Sequence, residues 1–285
     1  MNNLSRPFPV SDTAALVMLW AAEYYGNKPL IGTYLRNLDL SSGKLLLERY
    51  NTICSWYPEV IINRKHFIKT MVEELTESSG KRTVIANIGA GFSPLALEIL
   101  PLLGDQVRFI EIDMQNMGCK RQLYSTLIPD KCSFISCRES NIEDTGSLTR
   151  MFADTLGKPE QCRLIVVMEG LSYYIGKPEM RQVLKILSDL APDLAVVFEH
   201  LKPCHLISDD RRYIPQSIFS HVRDYTGLPR MTTYSDDEIQ EMLGPSFSFF
   251  YANMDEMEKK RTGCGNYFPA PESGWLSCSV AIRRQ

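Results

Sequence analysis

Gly89-Ala90-Gly91 follows the apolar run Val84–Ile88 and precedes Pro94 and a helical pattern from Leu95 to Leu103. Glycine at 89 and 91 allows positive φ and a close approach to the backbone, with Ala90 held between them. Pro94 suits the first turn of a helix, whose free amides bind polar groups. Such a turn also closes many strand–helix units that hold no ligand. Asp113 stands 24 positions after Gly89, at the end of Phe109-Ile110-Glu111-Ile112-Asp113, with Met114 beside it. A carboxylate there can accept both hydroxyls of a ribose, or it can be a solvated acid capping the next helix. Asn141 and Ile142 follow a third apolar run and offer an amide for an adenine edge and a side chain for its face. They also fit a generic polar loop.

Glu169-Gly170 comes directly after Val166-Val167-Met168. A charge in that position is costly without a partner, and the partner is either a ligand ammonium or a nearby lysine or arginine. His200, ending Val197-Phe198-Glu199-His200, and His205 are the candidate catalytic residues. An imidazole at a strand mouth can serve as a general base near neutral pH, and it can equally be structural. Arg64, within Ile61–His66, can hold a carboxylate in bidentate fashion or lie on the surface.

The elements that must position these residues follow from hydrophobic periodicity. Residues 1–10 read as a loose arm with two prolines. Ser11 or Asp12 can cap a helix ended by Gly26–Pro29, and further helical patterns cover about 44–56 and 60–77, so the first eighty residues read as all helix. From 83 onward the rhythm changes. Strand candidates at 83–88, 107–112, 132–137, 163–168 and 194–199 alternate with helical stretches at about 94–103, 114–125, 146–156 and 177–190, which implies a parallel sheet covered on both faces. Residues 202–230 read as an inserted segment. A helix at 235–243 capped by Ser235 leads to two alternating segments, Ser246–Ala252 and Trp275–Arg283, suited to an antiparallel pair. Between them, 253–274 reads as an exposed loop. The expected fold is α/β: a doubly wound, seven-stranded, mostly parallel, Rossmann-like sheet. Residues 1–80 form an N-terminal helical cap, 81–285 a ligand-binding domain, and 202–230 a lid after strand five.

The 285 residues carry 31 Lys and Arg against 34 Asp and Glu, a formal net charge of −3. A phosphate-backbone partner is not expected from that balance. The eight cysteines form no C-x-x-C pair and read as reduced thiols, with no metal site. No apolar run is long enough to span a bilayer and the N-terminus lacks signal-peptide features, so no membrane partner and a cytoplasmic location are expected. Oligomeric state is not legible.

A dinucleotide would require a third glycine after Gly91, where this chain has Pro94. An amino-acid nucleoside such as S-adenosyl-L-methionine fits better. Asn87–Phe92, Phe109–Asp113 and Glu169-Gly170-Leu171-Ser172-Tyr173-Tyr174-Ile175 together resemble the leucine carboxyl methyltransferase family, class I methyltransferases that include the tetracenomycin-type polyketide O-methyltransferases. The resemblance covers about residues 11–200. It implies S-adenosyl-L-methionine as cofactor, with Gly89 and Gly91 along its methionine portion, Asp113 on its ribose and Arg64 on its carboxylate. Asn141-Ile142 stands where family members have Asp-Leu, and Glu169, Gly170 and Tyr174 match positions near the methionine end and the substrate. The basic residue of carboxyl methyltransferases has no match in Ser11–Ala15.

The function this implies is O-methylation of a small-molecule hydroxyl, of the aromatic polyketide type found in secondary metabolism. Carboxyl methylation of a small acid or protein C-terminus is the alternative. A non-catalytic S-adenosylmethionine-binding regulator and a nicotinamide-dependent reductase are rivals of other classes. Trp20, Tyr24, Tyr25, Tyr34, Trp56, Tyr57, Tyr213, Phe219 and Tyr225 supply either core packing or stacking surfaces for a planar acceptor.

Overall fold

A computed structural model describes residues 7–103 and 106–284. The arm expected at 1–10 lies partly outside the described residues. Its remainder includes β1 (Phe8–Pro9), which pairs in parallel with β2 (Leu38–Asp39). The first eighty residues are therefore not wholly helical. A two-residue strand leaves no alternation for a sequence to display.

The helices of this region are α1 (Asp12–Trp20), α2 (Ala22–Gly26), α3 (Pro29–Arg36), α4 (Lys44–Ile53) and α5 (Tyr57–Glu77). The sheet then begins. β3 (Arg82–Ile88), β4 (Val107–Asp113), β5 (Ile135–Glu139), β6 (Cys162–Met168) and β7 (Leu194–Leu201) alternate with α6 (Leu95–Leu103), α7 (Met117–Leu127), α8 (Thr145–Leu156) and α9 (Lys177–Leu190). The chain continues through α10 (Tyr213–Thr226), α11 (Asp236–Leu243), β8 (Phe247–Asn253), α12 (Met254–Thr262) and β9 (Leu276–Arg283). Strand order is β5-β4-β3-β6-β7-β9-β8. The first five strands are mutually parallel, and β9 runs antiparallel to both β7 and β8. This is the seven-stranded, mostly parallel, doubly wound sheet expected from the alternating pattern.

Strand parity sorts the core into two layers. Ile85, Phe109, Val167 and Val197 face α5, α6 and α7, whereas Val84, Ile110, Val166 and Val196 face α8, α9 and α11. The registers align odd residues with odd across the centre of the sheet, Ile85 with Phe109 and Ile165, and Val167 with Val197. In β3 to β7, every odd-numbered residue at the strand ends therefore opens on the α5 side.

Ser235 caps α11, and its hydroxyl and Glu238 form the reciprocal capping box. The stretch 253–274, expected as a loop, holds α12 instead. Asn253 and Glu256 form a second capping box, Met254 and Met257 are fully buried, and the helix packs on α5. Glu258 is 1 % exposed and accepts the backbone N–H groups of Tyr267 and Phe268 at 2.9–3.1 Å. Glu258→Ala would strand two amides in the interior. The variant should lose about 2–4 kcal/mol in guanidinium unfolding; a change within about 0.5 kcal/mol would contradict this role.

Candidate functional site

The strand order reverses at β3, which has β4 on one side and β6 on the other. The crevice outside the carboxyl ends of these strands is where open α/β sheets hold ligands. Here it deepens into a cavity of about 750 Å³, a volume in the range of small-molecule sites. The strand ends form its floor through Gly89, Ala90, Gly91, Asp113, Glu169 and Gly170. Helix α5 supplies Ile61, Arg64 and Lys65, and α1, α4 and α10 close the far end with Trp20, Tyr50, Ile218, Phe219 and Val222 among others.

The turn after β3 is built on positive φ, 72° at Gly89 and 43° at Gly91. A Cβ at Gly89 would lie 2.9 Å from the Leu171 side chain, so this glycine also admits the loop after β6. Gly91 donates its N–H to Asp113 Oδ2 at 2.8 Å, which fixes the carboxylate at the rim. Glu111, of the same parity, is spent inside: it pairs with Lys120 Nζ at 2.8 Å and accepts from Tyr124 Oη at 2.9 Å. Met114 is 65 % exposed beside Asp113, and Asn141 and the buried Ile142 line the same end. Ser93, at the start of the helix after the glycine turn, lines the cavity too, and its hydroxyl has no partner among the described residues.

Charge concentrates at the other end of the floor. Glu169 Oε1 accepts from Arg64 Nε at 3.1 Å, Arg64 Nη2 at 2.9 Å and Lys65 Nζ at 2.9 Å. All three bonds go to one oxygen. Its partner Oε2 accepts from no described residue and so keeps its lone pairs for a ligand donor. Both alternatives that the sequence left open, a basic residue of the chain and a ligand ammonium, can thus be met by one carboxylate. Arg64 Nη1 lies 3.6 Å from Glu199 Oε1, and Glu199 Oε2 accepts from the Gly170 N–H. Burial alone would raise the Glu169 pKa, but Lys65 and Arg64 outweigh it and hold the carboxyl at about 2. Glu199 moves the other way: burial lifts it above the usual carboxylate range despite Arg64.

The structure gathers Arg64, Gly89, Ala90, Gly91, Asp113, Met114, Asn141, Ile142, Glu169, Gly170 and Tyr174 around one cavity. It does not bring the two histidines there. His200 is 1 % exposed on the opposite face of β7, with Nδ1 3.0 Å from the Tyr234 carbonyl oxygen and Nε2 3.3 Å from Ser279 Oγ. His205 is exposed in the short turn of helix at Cys204–Leu206 and lines no part of the cavity. Parity is the reason for His200: the odd-numbered neighbour Glu199, in the same tetrapeptide, takes the α5 side. Of the aromatics singled out in the sequence, Trp20, Tyr57 and Phe219 line the cavity. Lys65, Tyr50 and Glu199 were missed. Strand parity would have found Glu199; Lys65 and Tyr50 carry no local signal.

No protein-family model matches the sequence, and no curated protein matches it. Solved structures do. A candidate methyltransferase from Thermobifida fusca YX is similar with a TM-score of 0.64 and 12% identity, over 99% of this chain and 97% of that one. A DUF574 family protein from Streptomyces avermitilis MA-4680 gives 0.61 and 10%, over 96% and 98%. The fold is that of the class I methyltransferases. Identities this low carry the fold and nothing finer.

Because Glu169 has a lower pKa folded than the ~4.3 of an unfolded glutamate, its stabilising contribution is complete above about pH 5 and is lost as pH falls toward 2. Glu169→Gln should therefore cost about 2–4 kcal/mol at pH 7 in urea unfolding, since Arg64 and Lys65 lose their counter-charge. The gap to the parent should narrow as pH falls from 5 toward 2. A gap that is constant across that range would contradict the ion cluster.

Proposed function

We propose that the chain is an S-adenosyl-L-methionine-dependent O-methyltransferase acting on a small-molecule hydroxyl. The observation that carries this reading is the pairing, across one floor, of a rim carboxylate at Asp113 with the Glu169–Arg64–Lys65 cluster. A ligand with a diol near one end and an ammonium and carboxylate at the other matches that spacing of chemistry. Pro94 after the glycine turn leaves no third glycine for a pyrophosphate, which disfavours a nicotinamide dinucleotide.

Bound there, S-adenosylmethionine would supply a methyl group on a sulfonium, ready for in-line displacement. Asp113 would hold the ribose hydroxyls, with Gly91 N–H fixing its orientation. Met114, Asn141 and Ile142 would contact the adenine. Glu169 Oε2 would accept from the ammonium, while Arg64, already aligned by Oε1, faces the carboxylate. Residues 1–80 and 202–230 act as cap and lid in this reading, since α1, α4 and α10 close the acceptor end. Holding both reactants in line supplies most of the acceleration.

The acceptor is constrained by what the cavity lacks among its described walls. No histidine lines it, and burial raises all four cavity tyrosines, Tyr57 and Tyr173 as well as Tyr50 and Tyr174, the last two to about 12. None is a base suited to neutral pH. Of the two cationic side chains of the wall, Lys65 is engaged by Glu169 and Arg64 by Glu169 and, in this reading, by the donor's own carboxylate, so an acceptor carboxylate would find no spare cation. A hydroxyl acidified by conjugation to its own carbonyl satisfies both conditions: it ionises in water and arrives with its charge delocalised. Carboxyl methylation remains the second reading because it too dispenses with a base.

Titration calorimetry with S-adenosylhomocysteine should show binding by the parent, weakened about 10–100-fold in Asp113→Ala, as loss of hydrogen bonds to a charged acceptor entails. His205→Ala should bind as the parent does. Binding of NADH in place of the nucleoside, or an unchanged Asp113→Ala, would sink the proposal.

A further inference from the structure

The roof of the cavity holds a hydrogen-bonded chain that the donor-binding floor does not use. Tyr50 on α4 is 1 % exposed and lines the cavity. Its Oη lies 2.6 Å from Nδ1 of His221, which sits on α10. The other imidazole nitrogen, Nε2, lies 2.6 Å from Arg49 Nη1.

The roles along this chain are fixed by chemistry. A guanidinium can only donate, so His221 Nε2 must accept and carries no hydrogen. In a neutral imidazole the hydrogen is then on Nδ1, which donates to Tyr50 Oη. Partial burial and the Arg49 charge both lower the His221 pKa, with Asp224 opposing them, so the neutral ring is the form present at pH 7. Tyr50 Oη therefore spends a lone pair on His221 and keeps its own O–H. That hydrogen has no acceptor among the described residues.

Trp20, stacked on Tyr50 with centroids 6.0 Å apart, lines the cavity as well, and its indole N–H also lacks a partner among the described residues. This part of the wall thus presents two donors, the Tyr50 O–H and the Trp20 N–H, with no partner among the described residues. Buried donors left unpaired are costly, and a ligand oxygen relieves that cost.

We propose that Tyr50 is the acceptor-binding residue of the cavity, donating its O–H to a carbonyl oxygen of a largely apolar ligand, with His221 as the residue that positions it. The assignment deepens the methyltransferase reading and rests on it: the carbonyl read by Tyr50 is the one whose conjugation acidifies the acceptor hydroxyl. A donor to that oxygen favours the enolate over the enol.

The test uses two probes of nearly equal shape, 2-acetylnaphthalene and 2-ethylnaphthalene, titrated into the full chain with and without saturating S-adenosylhomocysteine. Quenching of tryptophan fluorescence reports binding, since Trp20 walls the site. The parent should bind the ketone about 5-fold more tightly than the hydrocarbon, the worth of one net hydrogen bond. Tyr50→Phe should reduce that preference to within about 2-fold while leaving the hydrocarbon affinity unchanged. His221→Phe should weaken the preference and His221→Asn, which keeps a donor near the Nδ1 position, should restore it. A parent with no preference, a Tyr50→Phe variant that retains it, or failure of both probes to bind overturns the proposal. Absence of S-adenosylhomocysteine binding with the ketone preference intact would instead overturn the methyltransferase reading and leave the carbonyl site standing.

Discussion

A carboxylate removed from water must meet positive charge or lose its own. Glu169 meets it twice, from Arg64 and Lys65, adjacent residues of one helix. That requirement locks α5 against the mouth of the sheet. Glu199 on the neighbouring strand draws the same arginine and takes the Gly170 amide, so the loop after β6 is held from both sides. The turn after β3 is in turn shaped by that loop, because Leu171 occupies the space a side chain at position 89 would need. One buried ion cluster therefore sets the geometry of three strand ends. The other Glu169 oxygen, Oε2, has no partner among the described residues.

The site is one-sided because strand residues alternate. Asp113, Glu169 and Glu199 are odd-numbered residues at the ends of β4, β6 and β7, and all turn toward α5. His200 is even-numbered and turns toward Tyr234 and β9, where it stabilises the sheet beneath α11. Chemical type suggested the histidine, and geometry chose the glutamate beside it.

Much of the scaffold could be read directly. The five parallel strands carry continuous apolar runs and their helices carry the 3.6-residue period, so their order and spacing were legible within a few residues. The glycine turn, Asp113, Asn141 and Glu169 were legible because each ends such a run. What escaped lacks local periodicity or depends on distant partners. The pair Phe8–Pro9 and Leu38–Asp39 is too short to alternate. Helix α12 was hidden by the glycines and prolines that follow it, although Asn253-Met254-Asp255-Glu256 has the capping-box pattern. The link from Tyr50 to His221 joins residues 171 positions apart, and no window of sequence reports it.

The central claim is that the sheet mouth holds an amino-acid nucleoside with its sugar at Asp113 and its amino-acid end at the Glu169 cluster. A crystal structure of the chain grown with S-adenosylhomocysteine tests it most directly. The account predicts ribose hydroxyls within hydrogen-bond distance of both Asp113 oxygens and the ligand ammonium on Glu169 Oε2. A ligand in the reverse orientation, or a cavity filled only by solvent at saturating nucleoside, would contradict it.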